Sequence, residues 1–388
     1  MADSEELVKD LAALSTSRSR SLSSSSTGSD GVSETSTLTY TQEPYETYQQ
    51  RVRELVQSKW PDIPSDQIVI ERMHGGWFNR VTGFSIRSNA SGKPREYVLR
   101  NIRQGYDRSL ISDLAPLQFL YKYSDLPVPK LVSFDGTEDN PIGRPYIIQE
   151  RAPGSPILAE YPGMSHECRL NAARQLGHFI KTLTSTKGGQ MGKLVPVDAD
   201  SAGPWTFTIE SLEDAGPAVT QAYSHDFAEG DMYHTLQCIF QYRLEDAAKH
   251  NEIYSFEYNS WFLAMTNELG VLGYLTDVPI TLCHLDFEPP NIIADPTNEQ
   301  NPISAILDWD SAIFAPTIMS CTPPMWLWAW KDNEDEDERE ANDTPSTTEN
   351  QEIKKAFEQA AGPLYQRFAY HAAYRLARHL IKFALYGM

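Results

Sequence analysis

Cys283-His284-Leu285-Asp286-Phe287-Glu288-Pro289-Pro290-Asn291 opens onto a short apolar run, Ile292-Ile293-Ala294, and a second run, Ile303 to Leu307, leads into Asp308-Trp309. Between the two runs lies Asp295-Pro-Thr-Asn-Glu-Gln-Asn-Pro302, a stretch of turn formers. Two short apolar runs around such a stretch predict a β-hairpin. Folding back would return Asp308 to Asn291 at the mouth of the hairpin, clustering two carboxylates and an amide oxygen.

Working outward, the chain upstream divides into two kinds of pattern. Ile68 to Met73, Val81 to Ile86 and Tyr97 to Arg100 are short β-rich runs, with His74-Gly75-Gly76-Trp77-Phe78-Asn79 as a glycine turn between the first two. They predict an antiparallel sheet. Leu110, Leu114, Leu117, Phe119 and Leu120 then give one apolar helix face, Leu126-Pro-Val-Pro129 an extended segment, and Tyr146 to Glu150 another strand that breaks at Pro153-Gly154. After the break the periodicity turns helical, over 170–183, 233–248, 254–269 and 352–385, the last with an interruption expected at Gly362-Pro363. The hairpin is the one pair of strands expected there. The fold class is therefore α+β and bilobal: an N-lobe over 44–152, with a sheet plus a helix, and a larger, mainly helical C-lobe over 153–388.

The clustered oxygens suit phosphoryl transfer. Mg²⁺ takes hard oxygen ligands and bridges nucleotide phosphates, so an Asn carbonyl and an Asp carboxylate can form its protein side. The remaining carboxylate, Asp286, is then placed to orient an attacking hydroxyl and accept its proton.

His284-x-Asp286-x-x-x-x-Asn291 followed by Leu307-Asp308-Trp309 resembles the catalytic and metal-binding motifs of aminoglycoside phosphotransferases and their choline-kinase-like relatives. Gly75-Gly76-x-x-Asn79 is similar to that family's nucleotide-covering loop, Tyr97-Val-Leu-Arg100 to its phosphate-contacting strand, and Tyr146-Ile-Ile-Gln149-Glu150-Arg151 to the hinge that receives the adenine edge. The resemblance implies a protein-kinase-like fold, ATP and Mg²⁺, Asp286 as catalytic base, Asn291 and Asp308 as metal ligands, and His284 as an organiser of the loop. It also implies transfer of the γ-phosphoryl group to a hydroxyl of a small molecule. Gln149, Glu150 and Arg151 are expected to act mainly through their backbones.

Two positions depart from the wider kinase pattern. Arg100 stands where protein kinases carry a phosphate-pairing lysine, and Asp113 where its helix glutamate is expected; arginine can still hold phosphate. Glu288-Pro289-Pro290 stiffens the catalytic loop. These departures motivate the alternative, a pseudokinase that binds nucleotide and serves as a regulator or scaffold. Protein kinase activity is disfavoured by the lack of an Ala-Pro-Glu segment after Asp308. Met325-Trp-Leu-Trp-Ala-Trp330 either packs the helical lobe or lines an acceptor pocket, where aromatic faces could hold a cationic amine. Asp310 either faces solvent or supports the metal loop.

A formal net charge of -20 argues against nucleic acid or an anionic membrane as the main partner. Much of it lies in the acidic loop 332–346, expected to be solvated. The stretch from Leu14 to Glu43 is dominated by Ser and Thr, and a disordered leader over residues 1–43 is expected. The four cysteines lack zinc spacing and are expected as buried thiols. Without a signal-peptide pattern or an apolar span, a cytoplasmic location is expected.

Overall fold

The computed structural model describes residues 43–73, 79–87, 92–103, 110–197, 205–212, 217–223, 231–330 and 338–386. The expected leader up to residue 42, the glycine turn with Gly75 and Gly76, and the acidic run 331–337 lie outside the described residues.

The chain begins with α1 (Tyr45–Lys59), β1 (Ile68–Arg72), β2 (Asn79–Ile86), β3 (Arg95–Ile102), α2 (Leu110–Tyr123), β4 (Leu131–Asp135) and β5 (Tyr146–Glu150). The strands form one antiparallel sheet in the order β1-β2-β3-β5-β4. Alternation along each strand sends Ile70, Phe84, Tyr97, Leu99, Tyr146 and Ile148 to one face, where Tyr48, Val52, Leu55 and Val56 of α1 cover them. The opposite face carries Ile102 and Ile147, packed with Leu114 of α2 and with Trp205.

Beyond the hinge come β6 (Ser155–Pro156), α3 (Ile157–Glu160), α4 (His166–Ser185), β7 (Gly192–Pro196), β8 (Phe207–Glu210), α5 (Pro217–Tyr223), α6 (Met232–His250) and α7 (Ile253–Val271). The segment with the predicted hairpin follows, with β9 (Ile280–Cys283), β10 (Ile292–Ala294), β11 (Ile303–Ile306) and β12 (Ile313–Pro316), and then come α8 (Thr348–Ala369) and α9 (Ala372–Tyr386). The two lobes and the mixture of antiparallel sheet with helices make the fold α+β and kinase-like. Ser165 caps α4 through the backbone N–H of Cys168, Asp231 caps α6 through that of His234, and Thr347 caps α8 through that of Asn350. Gly362 has φ 83° and breaks α8 where Pro363 begins a new helical segment, as the sequence predicts.

The helical lobe holds more strand than the single hairpin expected. Its strands form a three-stranded sheet, β11-β10-β6, and a four-stranded sheet, β8-β7-β12-β9. Strands β9 and β12 are buried at all four positions, so they lack the polar alternation that marks a half-exposed strand. β4 escapes notice for a different reason, since its short run follows closely on the Leu126-Pro-Val-Pro segment. Among the described residues no helix is long and apolar enough to cross a membrane.

The return from one lobe to the other depends on Gly154. It has φ +96°, a backbone region that side chains resist, and a Cβ there would stand 1.9 Å from the carbonyl oxygen of Ala294. That close approach lets Ser155 and Pro156 pair with Ala294 and Ile293 of the hairpin.

Candidate active site

The hairpin brings the first three predicted residues together. Ile292 faces Ile306 in the β10–β11 register, and the backbone N–H of Leu307 donates to the carbonyl of Asn291 at 2.7 Å. Asp308 follows directly and adopts φ 60°, which turns its side chain out of the strand. Pro289 and Pro290 fit the loop because a 3₁₀ turn, Pro289–Asn291, begins there, where a missing N–H costs nothing; Asn291 N–H closes it on the carbonyl of Glu288 at 2.9 Å. Asn291 Nδ2 then donates to both the backbone oxygen of Asp286 at 3.1 Å and its Oδ2 at 2.7 Å.

His284 holds this loop from beneath. Its Nε2 donates to the carbonyl of Leu307 at 2.7 Å, and its Nδ1 accepts from the backbone N–H of Asp286 at 3.3 Å. Both bonds are satisfied only by the neutral ring protonated on Nε2. Burial pushes its pKa down to about 4, in keeping with that form. The ring lies edge-on to Trp309, 4.6 Å between centroids, while Phe179 of α4 stacks on Phe287 at 4.8 Å. Trp309 is itself fixed by Nε1–H donating to the carbonyl of Ile306 at 2.9 Å. Leu285, at φ 63°, holds a conformation that costs a non-glycine residue roughly 1–2 kcal/mol. The bonds on either side of it, at His284 and Asp286, keep it there.

From the other lobe comes Arg100. Its Nη2 donates to both carboxylate oxygens of Asp310, at 3.1 and 3.2 Å, and lies 3.9 Å from Oδ1 of Asp308. Asn79 Nδ2 donates to Asp310 as well, at 3.3 Å. Asp310, whose side chain is 6% exposed, is thus part of the site and not a solvent-facing residue. Its sequence position two residues after Asp308 hints at this, but its partners lie more than 200 residues away.

Carboxylate charge is concentrated here. Asp308 keeps an open edge, with its side chain 45% exposed, yet its carboxyl is pushed up to about 6 by burial within the cleft and by Asp310 and Asp286, with Arg100 opposing. Glu288 also keeps an exposed edge while its carboxyl, hemmed in by protein and facing Asp286, rises to about 7; Lys382 of α9 opposes the rise. Among the described residues no three His, Cys, Asp or Glu side chains form a metal cage. Mg²⁺ needs none, since it takes one or two protein oxygens alongside phosphate and water.

The hinge residues divide. Gln149 is buried, Glu150 is exposed and pairs with Lys130 at 3.1 Å, and Arg151 pairs with Glu71 of β1. The tryptophans of 326–330 pack the lobe: Trp326 and Trp328 are buried, and Trp330 stacks on Tyr161 at 5.3 Å. The four cysteines are unpaired; three are buried and Cys238 is partly so.

The sequence profile of the phosphotransferase enzyme family (APH) matches residues 70–342, well over half of the chain, a span that includes Asn79, Arg100, Asp286, Asn291, Asp308 and Asp310. The chain belongs to the phosphotransferase enzyme family. This APH member is also similar to a subtelomeric hrmA-associated cluster protein of Aspergillus fumigatus, 23% identical over 159 residues. That match takes in 40% of this chain and 30% of the relative, so the chain spans about a third of the relative's length. Among solved structures it is similar to a thermostable mutant of an aminoglycoside phosphotransferase in a ternary complex with AMP-PNP and hygromycin B, at 18% identity and TM-score 0.42, over 86% of this chain and 90% of that one. A Plasmodium vivax ethanolamine kinase is similar at 12% identity and TM-score 0.42, over 86% of each chain. At such TM-scores these likenesses add nothing to what the family profile shows.

Proposed function

We propose that this APH member is a small-molecule kinase that moves the γ-phosphoryl group of ATP, with Mg²⁺, to a hydroxyl of its acceptor. The observation that carries the reading is the side chain of Asn291. Its Nδ2 is spent twice on Asp286, which leaves Oδ1 as a hard ligand, and the backbone bond from Leu307 to Asn291 brings the half-exposed Asp308 into the same turn.

The residues fit a divalent cation. Asp286, Asp308 and Asp310 crowd together, and the cost of that crowding registers in the raised pKa of Asp308. Asn291 and Asp308 would hold Mg²⁺, which when bound neutralises charge on the phosphates. Asp286 orients the acceptor hydroxyl and takes its proton, a contribution of ~10²–10⁴-fold. The bond from Asn291 fixes which oxygen of Asp286 is left for that proton. Arg100 meets the phosphates from above, already oriented by Asp310. By the family resemblance Gly75, Gly76 and Asn79 would belong to the nucleotide-covering loop, and Gln149, Glu150 and Arg151 receive the base. His284 stays neutral and transfers no proton.

We place the lobe boundary at 152/153, because Glu150 ends the first sheet and Ser155 already pairs in the second. The partner is a small molecule in the cytoplasm, not nucleic acid or membrane. The pseudokinase alternative gives the Asp286–Asn291 contact no chemical task.

Thermal unfolding of the purified protein with ATP, with and without Mg²⁺, tests this reading. At a hundredfold excess over Kd, ligand stabilises by ~2.7 kcal/mol. The expected result is Mg²⁺-dependent stabilisation in the wild type and its loss in Asp308→Ala. Absence of stabilisation in the wild type would sink it.

A further inference from the structure

The first sheet has one face committed to α1, and register defines what lies on the other. Val81 faces Arg100 and Arg100 faces Ile147 across β2, β3 and β5; one rung along, Gly83 faces Val98 and Val98 faces Gln149. Directly opposed residues share a face, and residues two apart on a strand return to it. Arg100 reaches Asp310 of the catalytic segment from this face, so it forms the roof of the cleft between the lobes. Leu114 and Trp205 cover its far end at Ile102 and Ile147. Nearer the hinge remain Val81 and Val98, both half-buried, and Gln149.

Gln149 is 3% exposed, and among the described residues its Nε2 has no hydrogen-bond partner. Buried amide donors are almost always bonded, so one left open on the roof of a cleft marks a ligand contact. Val81 and Val98 offer apolar surface suited to the face of a flat ring, with Arg100 about 7 Å farther along the strand on the phosphate side. A glutamine amide matches one nucleobase edge in particular. Its oxygen accepts from the N6 amino group of adenine while its nitrogen donates to N7. Guanine offers two acceptors, O6 and N7, on the same edge, and leaves the glutamine oxygen unmatched.

We propose that the Gln149 side chain, buried on the cleft roof with its Nε2 unpaired, bonds the N6/N7 edge of adenine and sets a preference for adenine over guanine nucleotides. The inference rests on the nucleotide reading above and deepens it, since the hinge was expected to act through its backbone.

The test is titration of the full chain, in Mg²⁺, with ATP, 7-deaza-ATP and GTP. 7-Deaza-ATP replaces N7 by CH and leaves the rest of adenine intact. The wild type is expected to bind it roughly tenfold more weakly than ATP, the worth of one hydrogen bond, and GTP more weakly still. Gln149→Leu is expected to bind ATP and 7-deaza-ATP equally. Equal binding of ATP and 7-deaza-ATP by the wild type would overturn the proposal while leaving the kinase reading intact, and this comparison needs no variant to fold. Failure of the wild type to bind any of the three would overturn the nucleotide reading, and this inference with it.

Discussion

Arg100 and Asp310, 210 residues apart in the chain, meet across the cleft with one guanidinium nitrogen donating to both carboxylate oxygens. The pair joins the first sheet to the segment that carries Asp308. It also gives Arg100 a carboxylate partner from the helical lobe, whatever α2 contributes.

Removing one member of a largely buried pair strands the other. Asp310→Ala is expected to cost roughly 1–3 kcal/mol in denaturant unfolding, with Asp310→Asn costing less because an amide oxygen can still accept. Combining Arg100→Met with Asp310→Leu should cost less than the sum of the two single changes. Strict additivity would mean that the two residues are not coupled.

Asp286→Asn keeps the shape of the loop but removes the proposed base. ATP hydrolysis with water as acceptor should fall by ~10²-fold or more while Mg²⁺-dependent ATP binding stays within a few-fold of the wild type. Unchanged turnover would remove Asp286 from the base role.

His284 titrates near 4 in the folded protein and near its ordinary value of 6.5 when unfolded. Between those values the unfolded chain binds more protons, so stability declines as pH falls from about 6.5 to 4 and is fully present above. The loss attributable to this group is on the order of 2–3 kcal/mol. Urea unfolding at pH 7.5 and pH 4.5 should show a smaller pH penalty in His284→Asn, whose amide can reproduce one of the ring's two bonds. An equal penalty in both proteins would place the titration elsewhere, among the described residues at His379, whose pKa is similarly lowered.

Gly154→Ala forces a Cβ onto the Ala294 carbonyl and a side chain onto φ +96°. A destabilisation above about 2 kcal/mol is expected, with thermal denaturation as the measurement. Gly163→Ala, where a Cβ meets nothing within 4 Å, is the control and should change little.

What the sequence made readable was mostly local. Asn291 and Asp308 could be brought together on paper because a turn of ordinary composition joins their strands, and the break at Gly362-Pro363 is written in two residues. Asp310 was not readable, because its role depends on Arg100 and Asn79, which reach it only through the closure of two lobes. Two strands of the four-stranded sheet were hidden by completeness of burial: Ile280 to Cys283 and Ile313 to Pro316 show solvent no face at all. Gln149 looked like a carrier of backbone groups until register put its side chain on the cleft roof.

The short link at Gly154 bears on how such a cleft could open. From Arg151 to Gly154 the chain can span at most about 14 Å before Ser155 is stitched into the hairpin. The hinge is therefore anchored to the strands that present Asn291 and Asp308, like a door hung on the same post as its lock. Swinging the first sheet would carry Arg100 away from Asp310 while Gln149, next to the pivot, hardly moved, so a nucleotide bound as proposed could stay held by its base while its phosphates were released.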